Sequence, residues 1–398
     1  MKIVRLVYDW PPPWHGLAPH PYEVTVSQLK LGHEVHVFCG RWPKSGPLQR
    51  PEGSFIYPIW REPFVGTSKV TSSVILFFKY FLWRRKNKDV DIIHAHGHFG
   101  IWIYVYRLLL QKLFPWSKEL KIPLVAHFHN TAKGRWEKLK EKGNYIMPHS
   151  KYFSWPLEVF SDRILMKVSS AQIFVSEDTK KEAQKYYGGG VKRSFVVESG
   201  VNLNLFQKVG DEERSKTKSD LGFDMYDRVI LAHGIMTERK NIHLLVEALS
   251  FLPSEYKLLL VGPWDSSYSE KVNEIIAKKH LDHRIVKVGY TPYPQVPIAF
   301  HAADLLVTPS SWEGLPKVVM QGLAVGIPCV VSGFKLKDKM DGIFYLSKLD
   351  PKSIAKDIQK VSSEKISVDS SQIRGYSWDH KVKEIEKIYE FAKKNYLV

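Results

Sequence analysis

Short apolar runs alternate with longer segments of helical spacing along almost the whole chain. The runs are nearly continuous in Val, Ile and Leu, which is typical of strands that are covered on both faces. We predict strands over residues 3–8, 34–39, 91–95, 124–128, 172–175, 195–198, 229–233, 257–261, 285–288, 305–308, 329–332 and 343–346. Stretches such as 241–249 and 269–279 have helical spacing. This alternation is a β-α-β pattern and predicts parallel sheets.

The strand and helix pattern restarts near residues 200–219, where the polar segment 211–216 is typical of a linker. We therefore predict an α/β protein with two doubly wound parallel-sheet domains, residues 1–205 and 206–377. The final segment, 378–396, is amphipathic, with Val382, Ile385 and Ile388 at helical spacing. Ligands of doubly wound sheets bind beyond the carboxyl ends of the strands, so functional residues are expected there.

Composition narrows the class of protein. The chain has 398 residues, of which 44% are hydrophobic and 25% charged, as in a globular protein with a large core. The two cysteines, Cys39 and Cys329, lie far apart in the sequence, so we expect no disulfide and a reducing compartment. No apolar signal segment precedes the first strand, and the apolar stretches 74–83 and 99–116 are interrupted by charged residues. We expect a cytoplasmic protein.

Charge is distributed unevenly. Residues 1–200 contain 30 basic and 16 acidic side chains, a net of +14, whereas residues 201–398 contain 28 and 25, a net of +3. A basic half is typical of proteins that meet nucleic acid, an anionic membrane or an anionic substrate. No recognised nucleic-acid-binding module is present, so we expect no nucleic-acid partner.

Residues 305–331 contain the most informative motif. A buried strand leads into a loop with Glu313 and Gly314, and a helix is predicted to begin at Leu315 or Pro316. The free N–H groups and positive dipole end of that helix suit a phosphate. Glu313 stands just ahead of the helix and suits sugar hydroxyls, and Gln321 follows Glu313 by about two helical turns.

Here the chain resembles the retaining glycosyltransferases of family 4, which have the GT-B fold of two Rossmann-like domains. The signature Pro-Ser-x-x-Glu-Gly, continued by Ala-x-Gly-x-Pro, is matched by Pro309, Ser310, Glu313, Gly314, Ala324, Gly326 and Pro328. Gln321 replaces the second Glu of the family and Gly322 replaces an Ala. The resemblance implies that Glu313, with the helix start at Gly314, Leu315 and Pro316, holds the donor sugar. It also implies that Gln321 holds the ribose.

A second match covers residues 231–242 and resembles the family's Gly-Arg-Leu-x-x-x-Lys-Gly phosphate clamp. The resemblance implies donor-binding roles for Gly234 and Gly262, and contact of Lys240 with the donor pyrophosphate. Ile235 occupies the position of the family's Arg. Loss of that Arg–phosphate bond should cost on the order of 1–3 kcal/mol if nothing replaces it. Arg239 could replace it, or could serve as a helix-capping or surface residue.

Further pieces of the family pattern run in order along the chain. The loop 8–16 resembles the family's first loop, although only Gly16 of a Gly-Gly pair remains, with His15 beside it. The resemblance implies that His129 contacts the donor sugar, that His96 flanks the acceptor, and that the helix over 378–396 crosses back onto the N-terminal domain.

Alternating histidines support another interpretation. His94, His96 and His98 precede His127 and His129 on the next predicted strand. Such a cluster could hold a metal ion for a hydrolase, although no Asp or Glu joins it in the sequence. For His94, His98 and His127 we favour packing or surface roles.

Two basic segments, 131–144 and 83–88, place Lys and Arg beside tryptophan. They suit peripheral association with an anionic membrane, or are solvated helix faces.

The resemblance implies a hexosyltransferase that retains the anomeric configuration and needs no cofactor or divalent metal. Its donor would be a UDP- or GDP-sugar and its acceptor a glycan or lipid-linked hydroxyl, as in cell envelope glycan biosynthesis. The substitutions at Ile235, Gln321 and His15 leave open a non-catalytic GT-B relative that acts as a binding protein.

Overall fold

The computed structural model describes residues 1–14, 16–42, 45–60, 68–141, 148, 150–188, 191–313, 316–336, 339–364 and 366–396. The strands are β1 (Lys2–Val7), β2 (Glu34–Arg41), β3 (Ser54–Trp60), β4 (Ile92–His96), β5 (Leu124–Phe128), β6 (Ala171–Phe174), β7 (Ser194–Val196), β8 (Arg228–His233), β9 (Tyr256–Val261), β10 (Ile285–Val288), β11 (Leu305–Thr308), β12 (Cys329–Val331) and β13 (Ile343–Tyr345). The helices are α1 (Pro19–Lys30), α2 (Ser68–Lys86), α3 (Ile101–Leu113), α4 (Ala132–Glu141), α5 (Trp155–Val168), α6 (Glu177–Tyr187), α7 (Asp211–Asp220), α8 (Ile242–Leu249), α9 (Ser266–Lys278), α10 (Pro297–Ala302), α11 (Lys317–Val325), α12 (Pro351–Ser363) and α13 (Trp378–Lys394). Every strand predicted from the sequence is present, with ends that differ by at most two residues.

The chain divides into two compact units. Unit 1 comprises Met1–Ser199 and Trp378–Val398, and unit 2 comprises Gly200–Ser377. The domain boundary predicted from the sequence lies after residue 205, and the last helix is predicted to belong to the first domain. The interpretation of segment 211–216 as a linker is wrong, because it lies within helix α7 of unit 2. Arg214 and Lys218 of α7 bind Asp304 at 2.6 and 2.8 Å, which ties the helix to the entrance of β11.

Unit 1 contains a parallel sheet with the strand order β3-β2-β1-β4-β5-β6-β7. Alternate residues of each strand point to opposite faces. Val4 and Leu6 thus pack into the core under α2, α3 and α5, while Ile3 packs on the other face. Because both faces are buried, the strands carry continuous apolar runs rather than an alternating pattern.

Strand β3 is the element that the sequence analysis missed. Its sequence, Ser-Phe-Ile-Tyr-Pro-Ile-Trp, contains Pro58, which argues against a central strand. In the structure β3 pairs only with β2, at the edge of the sheet, where a missing N–H is tolerated.

The last helix, α13, packs on the sheet of unit 1. Val382, Ile385 and Tyr389 join Ile3 and Val125 in one apolar cluster on the face opposite to α2 and α3. The amphipathic pattern of this helix therefore buries its apolar side against the first sheet, although the helix lies at the opposite end of the chain.

Unit 2 contains a second parallel sheet, with the order β10-β9-β8-β11-β12-β13. In both sheets the first strands are added in succession on one side of the starting strand, β1 or β8. The chain then crosses to the other side of that strand and adds the remaining strands there. The change of direction occurs between β1 and β4 in unit 1 and between β8 and β11 in unit 2. Loops that follow such neighbouring strands diverge and leave a crevice, which is where doubly wound sheets bind ligands. Among the described residues, no helix is long and apolar enough to span a membrane.

Candidate functional site

In unit 2, two loops meet at the carboxyl ends of the central strands β8 and β11. The loop after β8 runs from Gly234 to Lys240, and the loop after β11 contains Ser310 and Glu313. Ser311 N donates to Arg239 O at 2.9 Å, which joins the two loops directly. The two motifs identified in the sequence, about 70 residues apart, are therefore one site.

Glu313 is the centre of this site. Its Oε1 atom lies 2.6 Å from Lys240 Nζ and 2.5 Å from an Arg239 guanidinium nitrogen, and Ser310 Oγ donates to it at 2.9 Å. The Glu313 backbone N–H donates to Gly333 O at 2.7 Å, which fixes the position of the loop. The arrangement gathers two cations and one carboxylate at the end of the sheet.

The charges of this cluster depend on one another. Burial would raise the pKa of the Glu313 carboxyl, but Lys240 and Arg239 outweigh burial and hold that pKa below its usual value. Burial lowers the pKa of the Lys240 ammonium, and Glu313 opposes that shift. Glu313 is therefore ionised at neutral pH, and removing its charge would leave Lys240 buried without a counter-ion.

Arg239 and Asn241 hold the two loops in place. Arg239 donates to Trp312 O at 2.6 Å and lies over the Trp312 ring, 4.8 Å from its centroid. Asn241 has a left-handed backbone, with φ of 51°, and its side-chain amide donates to Pro309 O and Ser311 Oγ, each at 2.9 Å. Arg239 thus lies beside Lys240 as a member of the cluster, and its donor-binding role stays a prediction.

Gly234 and Gly262 lie against each other at the carboxyl ends of β8 and β9. Both have φ values near +130°, a region that L side chains rarely adopt. A Cβ atom on Gly262 would lie 2.0 Å from Gly234 O, so the close approach of these strand ends requires glycine. This contact places the start of the loop that ends at Lys240.

The remaining predicted donor residues occupy different positions. Pro316 is the N-cap of α11, whose first residue is Lys317 rather than Leu315 or Pro316. Gln321 is buried within α11, whereas Ile235 is half exposed beside Gly234. Gly314 and Leu315 lie outside the described residues, as does His15 in unit 1.

Unit 1 has a cavity of about 390 Å³ at the carboxyl ends of β1, β4 and β5. Its lining combines residues predicted from the sequence with others that were not, among them Asp9, Gly16, His96, His129, Asn130, Arg135, Glu158 and Asp162. Gly16 has φ of 59° and no neighbour within reach of an added Cβ, so its backbone conformation rather than space requires glycine. The structure thus brings Gly16, His96 and His129 together.

Two buried carboxyl groups of α5 face this cavity and were missed by the sequence analysis. Asp162 Oδ2 accepts hydrogen bonds from Ala132 N at 2.8 Å and from the Tyr187 hydroxyl at 3.1 Å, and Glu158 forms an ion pair with Arg135. Burial raises the pKa of the Asp162 carboxyl to about 7. Glu158 and Asp162 are four residues apart, so their common helix face was the available sequence signal.

Five histidines form an array at the cavity: His96 and His129 line it, and His20, His94 and His127 are buried. His94 Nε2 lies 3.1 Å from His127 Nδ1, and His96 Nδ1 lies 2.9 Å from His129 Nε2. The rings of these four histidines stack at 4.5–5.3 Å. His20 of α1, which the sequence analysis did not include, meets the rings of His127 and His129 edge-on.

The C-terminal helix completes this array. The Tyr389 hydroxyl accepts from Gln28 Nε2 at 3.2 Å and lies 2.6 Å from His94 Nδ1. Since the Gln28 amide nitrogen can only donate, the hydroxyl proton is directed to His94 Nδ1. His94 then donates through Nε2 to His127 Nδ1, so both of its ring nitrogens are engaged within the protein.

Burial keeps His94, His96 and His127 uncharged. It lowers the pKa of His94 and His96 well below the usual value and that of His127 to about 3, with the buried Arg5 contributing in the same direction. Neutral imidazole is also the form that binds metals. Among the described residues, two triplets place one ligand atom each within 4.8 Å of one another: His20, His127 and His129, and His94, His96 and His127.

The basic segment 131–144 does not present an aromatic surface in its described part. Trp136 is buried and stacks on Trp155 at 5.4 Å. Arg135 pairs with Glu158, and Lys138 lies 3.3 Å from a Glu182 oxygen. Residues 142–147 lie outside the described residues. Intramolecular pairing therefore engages Arg135 and Lys138, two of the basic side chains for which the sequence left open a membrane surface or a solvated helix face.

Comparison with curated proteins gives relatives that extend over most of the chain. An uncharacterised glycosyltransferase of Methanocaldococcus jannaschii is 22% identical, covering 98% of this chain and 98% of the relative. A Bacillus subtilis glycosyltransferase named for teichuronic acid biosynthesis, TuaC, is 29% identical over 83% of this chain and 80% of the relative. An Escherichia coli UDP-Gal:α-D-GlcNAc-diphosphoundecaprenol α-1,3-galactosyltransferase is 24% identical over 84% and 81%.

Solved structures share the fold at lower identity. Sucrose-phosphate synthase from Thermosynechococcus elongatus superposes with a TM-score of 0.75 at 15% identity, covering 98% of both chains. Anabaena HepE, solved in complex with UDP and glucose, superposes with a TM-score of 0.70 at 16% identity, covering 98% of this chain and 99% of HepE. The predicted arrangement of two Rossmann-like parallel sheets of GT-B type is confirmed.

Family comparison assigns both halves of the chain. Residues 14–205 match the family described as Glycosyltransferase Family 4, and residues 213–378 match Glycosyl transferases group 1. These matches support a glycosyltransferase rather than a metal-dependent hydrolase or a binding protein. The chain therefore belongs to the group 1 glycosyltransferases of family 4 and is a glycosyltransferase.

Proposed function

We propose that the protein transfers a hexosyl unit from a nucleotide diphosphate sugar, with UDP or GDP as the nucleotide, to a hydroxyl group of a glycan or lipid-linked acceptor. The observation that carries this proposal is the cluster of Lys240, Arg239 and Glu313 at the change of strand direction in unit 2. It offers cations for a diphosphate and a carboxylate for sugar hydroxyls within one hydrogen-bonded group.

The cluster suggests how a donor is held. A diphosphate competes with Glu313 for Lys240 and Arg239, because phosphate oxygens accept the same charge-assisted hydrogen bonds as a carboxylate. Glu313 is then released to accept hydrogen bonds from hydroxyl groups of the sugar. Ile235 leaves the family's Arg position without a charge, and we assign Arg239 to that role.

The same cations remove the need for a divalent metal. As the glycosidic bond to the diphosphate breaks, negative charge develops on the leaving oxygen, and preorganised cations in a buried site stabilise it. Lys240 supplies one such cation, and the N-terminus of α11 adds a positive dipole end. Retention of the anomeric configuration is proposed from the family resemblance alone.

We assign the acceptor to the cavity of unit 1. Its lining of carboxylates, an amide and imidazoles suits a polyhydroxylated group, since each can hydrogen-bond a hydroxyl. Asp162 has one carboxyl oxygen occupied by Ala132 and Tyr187, and we propose that the other, Oδ1, takes an acceptor hydroxyl. The roles of His96 at the acceptor and His129 at the donor sugar remain those that the resemblance implies.

The names of the relatives support the substrate class. The E. coli relative is named for a UDP-galactose donor and a lipid-linked diphosphate acceptor, and the B. subtilis relative for a cell-wall polymer. HepE was solved with UDP and glucose. We therefore propose a role in cell envelope glycan synthesis, with peripheral association at the cytoplasmic face of the membrane.

Thermal unfolding with UDP, GDP and ADP tests the donor site. At 100 times the Kd a bound nucleotide stabilises the protein by about 2.7 kcal/mol. For a unit of this size that raises the Tm by roughly 5–10 °C. We expect one nucleotide to produce this shift and Lys240→Ala to weaken its binding about 10- to 100-fold, by loss of a charge-assisted hydrogen bond. Lys278→Ala, at an exposed position of α9, is the matched control.

Two further arms sharpen this experiment. Ile235→Arg is expected to tighten binding about tenfold by restoring a guanidinium at the family position, whereas Ile298→Arg, at an equally exposed apolar position, leaves it unchanged. The shift should persist in EDTA, and elemental analysis of the purified protein reports any metal held by the histidines. Absence of a shift with all three nucleotides would overturn the proposed donor site.

A further inference from the structure

Helices α2 and α3 of unit 1 expose large apolar side chains on their outer surface. Ile75, Phe78 and Leu82 follow one another at helical spacing on α2, as do Val105, Leu109 and Leu113 on α3, and all are exposed. Leu82 and Leu113 are 61% and 63% exposed. A surface helix of a globular protein normally turns such a stripe to the core.

The two stripes belong to one surface. Tyr106 of α3 contacts Phe77 and Phe81 of α2, with ring centroids 5.8 and 5.3 Å apart, and Trp102 Nε1 donates to Ser73 Oγ at 2.8 Å. These contacts close the seam between the helices, and the exposed stripes lie on its solvent side.

Neighbouring segments enlarge this surface. Phe114 and Trp116 follow the end of α3 and are exposed, Trp116 to 76%. On the other side Trp60, at the end of β3, lines a groove of about 410 Å³ together with Ile75 and Lys79. We call this surface the apolar face; it comprises Trp60, Ile75, Phe78, Leu82, Val105, Leu108, Leu109, Leu113, Phe114 and Trp116. Contiguous exposed apolar patches of this kind mark interaction sites.

Basic side chains border the apolar face. Residues 68–121 contain 10 Lys and Arg and only 3 Asp and Glu. Glu119, one of those acids, is buried and pairs with Arg84 at 2.8 Å, so its charge is already neutralised. The exposed cations that lie next to the apolar face in the sequence are Arg85, Lys86, Lys88, Lys112, Lys118 and Lys121.

We propose that the apolar face docks on an anionic lipid bilayer, with its aromatic and aliphatic side chains in the interfacial layer and the bordering Lys and Arg against the headgroups. Such a bilayer supplies both an apolar phase and negative charge, and each Lys or Arg near its surface contributes about 1 kcal/mol. A second copy of the chain would instead bring two basic borders together, which is unfavourable. This inference rests on the proposed function in one respect only: the bilayer is where the protein would bind a lipid-linked acceptor.

Co-sedimentation of the full chain with vesicles tests this docking without any catalysis. Vesicles of phosphatidylcholine alone are compared with vesicles that contain about 30% of the anionic lipid phosphatidylglycerol. Each comparison is made at low and at high salt. We expect at least tenfold tighter binding to the anionic vesicles, and weakening by salt. The double variant Phe78→Glu/Leu109→Glu should lose at least tenfold in affinity. Lys118→Gln/Lys121→Gln should lose about 30-fold, on anionic vesicles only.

Met225→Glu/Tyr226→Glu, at exposed apolar positions of unit 2, is the matched control and should bind like the unmodified chain. All variants lie at exposed positions, and equal Tm values verify that they fold. Equal binding to neutral and anionic vesicles at low salt, or unchanged binding by Phe78→Glu/Leu109→Glu, would overturn the proposal. So would a self-association, measured by sedimentation, that this variant abolishes while vesicle binding persists.

Failure of the docking and failure of the proposed function give different results. A nucleotide-dependent Tm shift without vesicle binding refutes the docking alone. Vesicle binding without any nucleotide shift refutes the donor site alone.

Discussion

The contact between Gly234 and Gly262 gives the sharpest test of how unit 2 positions its charged cluster. Replacing Gly262 by Ala puts a Cβ atom 2.0 Å from Gly234 O, and the φ of +132° disfavours any L side chain. The backbone strain alone costs about 1–3 kcal/mol. Moving the Gly234 carbonyl away also disturbs the hydrogen bond from Gly234 N to Val261 O, now 3.0 Å, which adds about 1 kcal/mol.

We therefore expect Gly262→Ala to destabilise unit 2 by about 2–4 kcal/mol, which lowers its Tm by roughly 4–16 °C. Because the displaced loop ends at Lys240, nucleotide-dependent stabilisation should be lost as well. Thermal unfolding with and without UDP or GDP measures both effects.

Gly289→Ala is the matched control. Gly289 follows the neighbouring strand β10, its backbone does not have the positive φ of Gly262, and an added Cβ would meet nothing within 4 Å. Its substitution should change stability by less than about 1 kcal/mol. If Gly262→Ala unfolds within 2 °C (about 1 kcal/mol) of this control and still binds nucleotide, the steric reasoning is wrong.

Two further predictions concern unit 1. Burial raises the pKa of the Asp162 carboxyl to about 7, whereas in the unfolded chain the pKa of this carboxyl is near 4. The stability that the protonated carboxyl provides is therefore fully present below pH 4 and is lost as the pH rises to 7. Asp162→Asn keeps an acceptor for Ala132 and Tyr187. Its free energy of unfolding should therefore equal that of the original protein at pH 4 and exceed it by about 2–4 kcal/mol at pH 8. Equal urea midpoints of the two proteins at pH 8 would contradict this. Tyr389→Phe leaves His94 Nδ1 buried without its partner and should destabilise unit 1 by about 1–3 kcal/mol, whereas Tyr396→Phe, at an exposed position, should not, as urea unfolding will report.

The sequence predicted the strands well because burial on both faces imposes a continuous apolar run. It failed at β3, where Pro58 is tolerated only because the strand lies at the edge, and edge position is a property of the assembled sheet. It also failed at segment 211–216, whose lack of apolar residues suggested a linker. Helix α7 there is held by Arg214 and Lys218 on Asp304, a partner distant in the sequence.

The candidate donor site was predictable to the extent that its residues follow strands β8 and β11 in two recognisable motifs. The pairing of Lys240 and Arg239 with one oxygen of Glu313 was not, because it depends on the adjacency of those strands in the sheet. In the same way, the sequence of segment 131–144 left open a membrane surface or a solvated helix face, and did not show that Trp136 is buried against Trp155.

By itself the sequence determined the parallel α/β architecture, the two-part organisation and the family, since these follow from apolar periodicity and from residues close together in the chain. The tertiary structure decided which charges neutralise one another, which carboxyl groups face the cavity of unit 1, and which apolar side chains remain exposed on α2 and α3. Those properties depend on contacts between segments far apart in the chain. Packing alone decides whether an apolar stripe meets the core or the solvent.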